Sequence, residues 1–447
     1  MTDSVFPVGP AAASPFVGAD SRDTSSRALA ERRTARLIAS ITEAWLFPAI
    51  VLSMVLGNQP FVVAQLISQV LNWANLIAGG VLLLSAMRAH VAIAALMLTI
   101  LVAKVLRGTA VAGPAESVYV GAVGVLFCLA GAIVAYRRPT MLYRQVMTIA
   151  AANLVAMILQ VVGAGAWTQL LTTHGEGNLT EPVRTLFVAP DAQVYLLVQG
   201  RPAGLSFSNI VLSLIITFAV VLHLTSQANR RWWGTTVLSG MVALSMSKFV
   251  LIVSPLLALW VTVTGRRFQR AAAFRLLAGI VAAIVLYSFL FPGLAATNLD
   301  VRTIRTSFYL RLNDIAHVLN PRSSLSERAD LMLEGTPRAT WVEEGAFVSG
   351  YAQVVAQAPT LVPIAVVTAL VYLIGLRRLY RRSQQMMMGA FLAMCMVTAY
   401  PFTFPPWGFQ IYWFMAGLGL VPLFGVLRPQ FMSEDPGRRE ALPRGRR

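Results

Sequence analysis

The sequence predicts an all-α protein: a polytopic transmembrane helix bundle of about 12 spans, with a large extracytoplasmic loop between spans 9 and 10. Three observations predict it. The 447 residues are 57% hydrophobic and only 12% charged, with a mean hydropathy of +0.67; soluble domains carry about 25% charged residues. Apolar runs near the roughly 20 residues that cross a hydrocarbon core recur along the whole chain. Two long segments, 167–206 and 291–345, interrupt those runs, where a plain helix bundle needs only short connections.

Residues 1–36 are polar and rich in Pro, Ser and Ala, end on Arg32, Arg33 and Arg36, and read as a disordered cytoplasmic tail without a cleavable signal peptide. The transmembrane domain, 37–430, is expected to hold spans near 37–57, 62–86, 91–106, 116–136, 146–166, 207–225, 232–246, 249–264, 273–290, 359–376, 387–402 and 407–427. The seventh and eighth would form one long helix but for Ser247 and Lys248. A lysine in mid-membrane is expensive, so the chain is expected to break there. Residues 344–358, EGAFVSGYAQVVAQA, fit either an amphipathic helix lying at the surface or the start of the tenth span. Residues 431–447, with Arg438, Arg439, Arg444, Arg446 and Arg447, form a basic cytoplasmic tail suited to anionic lipid heads.

The net charge is +17; Lys104 and Lys248 are the only lysines, so the other 34 of the 36 basic residues are arginines. In a soluble chain such an excess points to nucleic acid. Here Arg88, Arg137, Arg138, Arg144, Arg230, Arg231, Arg266, Arg267, Arg270, Arg377, Arg378, Arg381, Arg382 and Arg428 all fall on one side of the twelve-span layout. The positive-inside rule makes that side the cytoplasm. Both termini are then cytoplasmic, and the loops 167–206 and 291–345 lie outside. The partners expected are a lipid bilayer and no nucleic acid.

No P-loop, no G-x-S-x-G elbow, no H-E-x-x-H and no D-x-D pair occurs, and His90, His174, His223 and His317 are scattered. These absences argue against nucleotide-driven chemistry, a serine nucleophile and a metal site, and no cofactor is expected. Cys128 and Cys395 both fall inside spans and give no disulfide framework. What remains is cationic side chains on the outer face. Arg201 opens RPAGLSFSN, Lys248 ends SMSK, and Arg311 and Arg328 lie in the second long loop. Guanidinium groups grip phosphate bidentately and keep their charge, so several meeting in one cavity suit a diphosphate. A sugar transfer from a lipid diphosphate needs its leaving group's negative charge stabilised, and fixed arginines supply that without a metal. The attacking hydroxyl needs positioning and a base, for which Glu343, Glu344 and Asp330 are the carboxylates at hand. Simpler roles stand beside these: lipid-phosphate contact for Arg201, snorkelling for Lys248, and solvated pairing of Arg311 and Arg328 with Asp314 and Glu327. Glu43, inside the first span, is either functional or paired with a nearby arginine.

At these residues the chain resembles the superfamily of O-antigen polymerases and O-antigen ligases of bacterial envelopes. RPAGLSFSNIVLS (201–213) resembles that family's Arg-x-x-Gly-x-x-x-x-Asn segment entering a helix. SMSK (245–248) resembles its Thr/Ser-x-Ser-Arg segment, with lysine for arginine. SSLSERADLMLEG (323–335) resembles a Ser-x-Arg stretch of the large outer loop and matches its arginine to Arg328, and VSGYAQVVAQAP (348–359) resembles the segment closing that loop. The likeness covers roughly residues 200 to 380; the first half agrees only in hydropathy. It implies a membrane glycosyltransferase, an exopolysaccharide or O-antigen polymerase of the bacterial inner membrane. Such an enzyme transfers a growing glycan from undecaprenyl diphosphate onto a lipid-linked repeat unit. Arg328, with Glu343 or Glu344, would be catalytic, and Arg201, Lys248 and Arg311 would hold the diphosphate. A chain-length regulator and a flippase are the protein partners implied. Ligases place a histidine near the end of the large loop; WVEEGAFVSGY (341–351) has none, which tilts the resemblance toward polymerase. A ligase, and a secondary transporter or flippase of lipid-linked sugars, remain the alternatives.

Overall fold

A computed structural model describes residues 20–57, 62–86, 114–162, 202, 204–206, 209–226, 232–290, 292, 361–402 and 409–427. Every regular element among them is helical: α1 Asp20–Gly57, α2 Val62–Ala86, α3 Pro114–Arg137, α4 Pro139–Val162, α5 Asn209–Thr225, α6 Trp232–Ser245, α7 Lys248–Thr264, α8 Arg267–Leu290, α9 Leu361–Arg382, α10 Gln384–Ala399 and α11 Gln410–Leu427. Short 3-10 turns occupy Gly204–Ser206 and Tyr400–Phe402. Five segments are long and apolar enough to cross a membrane: Leu37–Gly57, Val62–Leu84, Val118–Arg137, Pro139–Val162 and Arg267–Leu290. Val211–Thr225, Lys248–Thr264 and Gln384–Ala399 are apolar but shorter. The expected span at 91–106, nearly all of the two long loops and the 344–358 segment lie outside the described residues.

The helix α1 reaches back to Asp20, into the segment expected to be a disordered tail to residue 36. The reason is local. DSRDTSS supplies acidic and hydroxyl residues at the helix start, and the following RALAERRTARL is rich in strong helix formers and lacks Pro and Gly. Helices α4 and α8 also begin earlier than their expected spans, carrying Arg144 and Arg270 on turns that extend the apolar stretch.

The axis of the bundle is α5. Its sequence, NIVLSLIITFAVVLHLT, is apolar on every face, and a helix of that kind has to be surrounded. All residues from Val211 to Thr225 are buried. Helices α4, α6, α7, α8, α10 and α11 all touch it. Phe218 meets Phe47 of α1 and Phe414 of α11 at centroid distances of 5.5 and 6.3 Å, and Phe47 and Phe414 are 5.4 Å apart. Outward faces carry Trp45, Val70, Ile77, Val155, Phe274 and Phe289 exposed, as helices bathed in lipid tails require.

The two ends differ in charge. At one end, Arg137 Nη1 and Arg138 Nε bond Glu43 at 2.9 and 3.2 Å, and Arg266 Nε donates to Gln384 Oε1 at 2.7 Å across two interhelix turns. Arg144, Arg267, Arg270, Arg377, Arg378 and Arg381 sit on the same turns. Three contacts tie these turns together. His223, near the end of α5, bonds Tyr143 OH at 3.1 Å and Thr235 Oγ1 at 3.2 Å, and Gly389 of α10 lies against Thr225. Among the described side chains Lys248 is the only cation at the opposite end.

Glu43 is therefore an ion-pair partner and not a lone intramembrane acid. It is buried, with Arg137 29% and Arg138 46% exposed, so water screens part of the attraction and the pairing falls short of a fully buried bridge. Glu43→Gln is expected to lower stability by about 1–2 kcal/mol. The check is the thermal unfolding midpoint in detergent; an unchanged midpoint rules out a structural role for the pairing.

Candidate functional site

The site forms where a helix breaks. Helix α6 stops at Ser245 and α7 starts at Lys248, the split expected from the lysine. The break is a real backbone reversal: Met246 holds φ +47, a left-handed conformation that costs an ordinary residue about 1–2 kcal/mol. Surroundings hold it there. Met246 is fully buried and packs with Tyr287 of α8. Ser245 Oγ donates to Val242 O at 3.0 Å, and Ser247 N donates to Ser245 Oγ at 3.4 Å. Phe249 packs edge-on against Tyr400 at 5.1 Å, and Tyr400 lies 6.3 Å from Tyr412.

Ser247 precedes the first turn of α7 in an extended conformation, yet its side chain does not cap the helix. It accepts a hydrogen bond from Ser213 Oγ of α5 at 3.0 Å instead. This bond joins the last residue of RPAGLSFSNIVLS to SMSK. First-turn N–H groups have no acceptor within their own helix, so the start of α7 presents backbone donors beside the half-buried Lys248. Dipole and ammonium carry the same sign there, and both favour an anion.

The segment upstream of α5 is folded back against the bundle. Pro202, Gly204 and Ser206 are buried. Gln160 of α4 takes both backbone groups of Gly204: Gln160 Nε2 donates to Gly204 O at 2.8 Å and Gly204 N donates to Gln160 Oε1 at 2.9 Å. Leu205 N donates to Asn153 Oδ1 at 3.1 Å. An irregular turn packed among apolar helices needs such partners, because lipid offers none. Gly204 holds φ +64, and a Cβ there would come within 2.5 Å of Asn153 Oδ1, so the position excludes a side chain twice over.

Of the residues assigned to the site from sequence, Lys248 is described, and the structure puts it at the end of α5 where the Gly204–Ser206 turn also docks. Arg201, Arg311, Arg328, Asp330, Glu343 and Glu344 lie outside the described residues. Sequence reading missed Asn153, Gln160 and Ser213. A polar residue every second turn of α4 was a signal, but its partners sit 44 and 52 positions away.

No known family matches the chain, and neither curated proteins nor solved structures give a match.

Proposed function

We propose that this protein is a polysaccharide polymerase of the bacterial inner membrane, built of about twelve spans with both termini in the cytoplasm. The observation that carries the reading is the Ser213–Ser247 hydrogen bond. It joins two segments that each resemble a motif of one superfamily, and does so at the end opposite the arginines. That end would face the periplasm by the positive-inside rule.

In this reading the donor is a growing glycan on undecaprenyl diphosphate and the acceptor is a lipid-linked repeat unit. The acceptor's hydroxyl oxygen attacks the anomeric carbon of the donor's reducing-end sugar from the face opposite the diphosphate. The new glycosidic C–O bond forms as the C–O bond to phosphate breaks. The electron pair leaves on undecaprenyl diphosphate, whose charge Arg201, Lys248, Arg311 and Arg328 stabilise. The hydroxyl proton passes to Glu343 or Glu344.

Arg201→Ala and Arg328→Ala are each expected to abolish polymer while single lipid-linked repeats accumulate at the outer face. The measurement is gel separation of extracted glycolipids from cells carrying each variant. Polymer of normal length in both variants sinks the assignment. Repeats trapped on the cytoplasmic face would favour a flippase, and full-length polymer that stays on its lipid carrier would favour a ligase.

A further inference from the structure

The arginines at the basic end do not all have the same role. Two of them hold the turn between α7 and α8. Arg270 Nε donates to Gly265 O at 2.6 Å and its Nη2 donates to Val263 O at 3.2 Å, which satisfies carbonyls that the end of α7 leaves without helical partners. Arg266 reaches the other way, to Gln384 Oε1 at 2.7 Å. That bond seats the α7–α8 turn against the α9–α10 turn, where Ser383 Oγ accepts from Met386 N at 3.3 Å and fixes the start of α10.

Four exposed arginines are left over on the joined turns: Arg267 at the start of α8, and Arg377, Arg378 and Arg381 near the end of α9. None of the four has a hydrogen-bond or ion-pair partner among the described residues. The sequence supplies no carboxylate for them: no Asp or Glu occurs at 209–290 or at 361–427, and Glu43 is held by Arg137 and Arg138. Arg381 is a helix-surface neighbour of both Arg377 and Arg378, and like charges so placed repel. An anion from outside the chain relieves that repulsion.

The flanking residues indicate which anion. About one turn deeper on α7, Trp260 is exposed, and its ring lies 5.9 Å from that of Phe391 on α10. The seam below the Arg266–Gln384 bond is therefore apolar. Leu259 and Val263 on α7 and Leu373 and Ile374 on α9 are exposed too, and Tyr380 stands among the arginines. A small soluble anion would use only the charged part of this surface. A lipid uses both parts, with its headgroup at the level where Trp and Tyr collect.

We propose that the joined α7–α8 and α9–α10 turns bind an anionic phospholipid. Arg267, Arg377, Arg378 and Arg381 grip the phosphate, and the acyl chains lie along the apolar seam beside Trp260. Guanidinium groups suit phosphate oxygens, and basic pockets between membrane helices take such headgroups. The site lies at the end opposite Lys248 and does not depend on the polymerase reading.

The test uses the purified full chain in neutral detergent. It is titrated with dioleoyl phosphatidylglycerol or dioleoyl phosphatidylcholine, and bound lipid is counted by native mass spectrometry. Phosphatidylglycerol is expected to bind at concentrations where phosphatidylcholine does not. Changing any one of the four arginines to Gln is expected to weaken binding about fivefold, and the Arg377→Gln/Arg378→Gln/Arg381→Gln triple variant about a hundredfold. Arg144→Gln, exposed at the same end but on α4, is expected to bind as wild type does. Thermal midpoints are read for every variant; should the triple variant not fold, Arg267→Gln and Arg381→Gln carry the test. Equal binding of the two lipids, or undiminished affinity in the arginine variants, overturns the site. A loss in Arg144→Gln as large as in Arg381→Gln also overturns it, since the attraction then belongs to the whole basic end. Displacement of phosphatidylglycerol by an equal concentration of inorganic phosphate overturns the assignment to a lipid.

Discussion

Lys248→Met is expected to slow chain extension by about a hundredfold or more, while Lys248→Arg retains most of the activity. Loss of one preorganised donor to a developing anion costs about 10²–10³ in rate. Lys248 stands at the first position of α7, where the helix contributes roughly half a positive charge of its own. Methionine keeps the length and apolar stem of lysine but removes the ammonium. Arginine restores the charge and adds a bidentate fork. The fold is expected to tolerate both changes, because several groups besides the lysine hold the break at 245–248. Met246 is buried against Tyr287, Ser247 accepts from Ser213, and Phe249 packs on Tyr400. The measurement is the initial rate of polymer extension in membrane preparations, read beside the thermal midpoint of each purified variant. Equal rates for Lys248→Met and wild type remove Lys248 from the site. A rate lost equally in Lys248→Arg shows that geometry at this position, and not charge, is what matters.

Lys248 also marks how far the sequence is readable. Its cost in mid-membrane predicted a helix break, and the break is there, one residue earlier, with Met246 in the left-handed region. The arginine clusters predicted a basic end, and the described arginines do gather at one end of the bundle, where they bond Glu43 and Gln384. Both readings rest on single-residue transfer costs, which depend on the residue and not on its neighbours. The docking of the Gly204–Ser206 turn is different in kind. Asn153 and Gln160 look like tolerated polar residues in an apolar run. Their partners are backbone groups, which carry no sequence signature. The same holds for Gln410, whose amide oxygen accepts from Asn75 at 3.2 Å and whose nitrogen donates to Asn72 at 2.9 Å across 335 and 338 positions. Each residue was visible, but the pairing depends on which helices become neighbours. The tail differs from its expectation for a simpler reason: the polar, Pro/Ser/Ala-rich composition of residues 1–36 suggests disorder, while the helix propensity of residues 20–36 carries α1 back to Asp20.

Gly131→Ala in α3 and Gly417→Ala in α11 are each expected to destabilise the bundle by about 3 kcal/mol or more. Two effects oppose each other. Alanine in place of glycine inside a helix gains about 1 kcal/mol from the backbone. Overpacking costs about 1–3 kcal/mol where side chains can shift, and here they cannot. A Cβ on Gly131 would lie 2.1 Å from Phe414 O, and one on Gly417 would lie 2.0 Å from Cys128 O. Both obstacles are main-chain carbonyls of the facing helix, so the whole helix has to retreat. The two glycines interlock α3 and α11 at one crossing, the close backbone approach that small residues allow between membrane helices. Retreat would not stay local. Phe414 packs on both Phe47 and Phe218, so a shifted α11 loosens the aromatic contacts around α5, and α5 carries Ser213 to the site. Activity is therefore expected to fall together with stability in these variants, unlike in Lys248→Met. Gly80 in α2 supplies the control, since a Cβ there meets nothing within 4 Å. Gly80→Ala is expected to leave the thermal midpoint unchanged or raised. If all three alanine variants lose the same stability, the loss comes from something other than the α3–α11 crossing. If Gly131→Ala and Gly417→Ala match wild type, the two helices are not packed backbone to backbone.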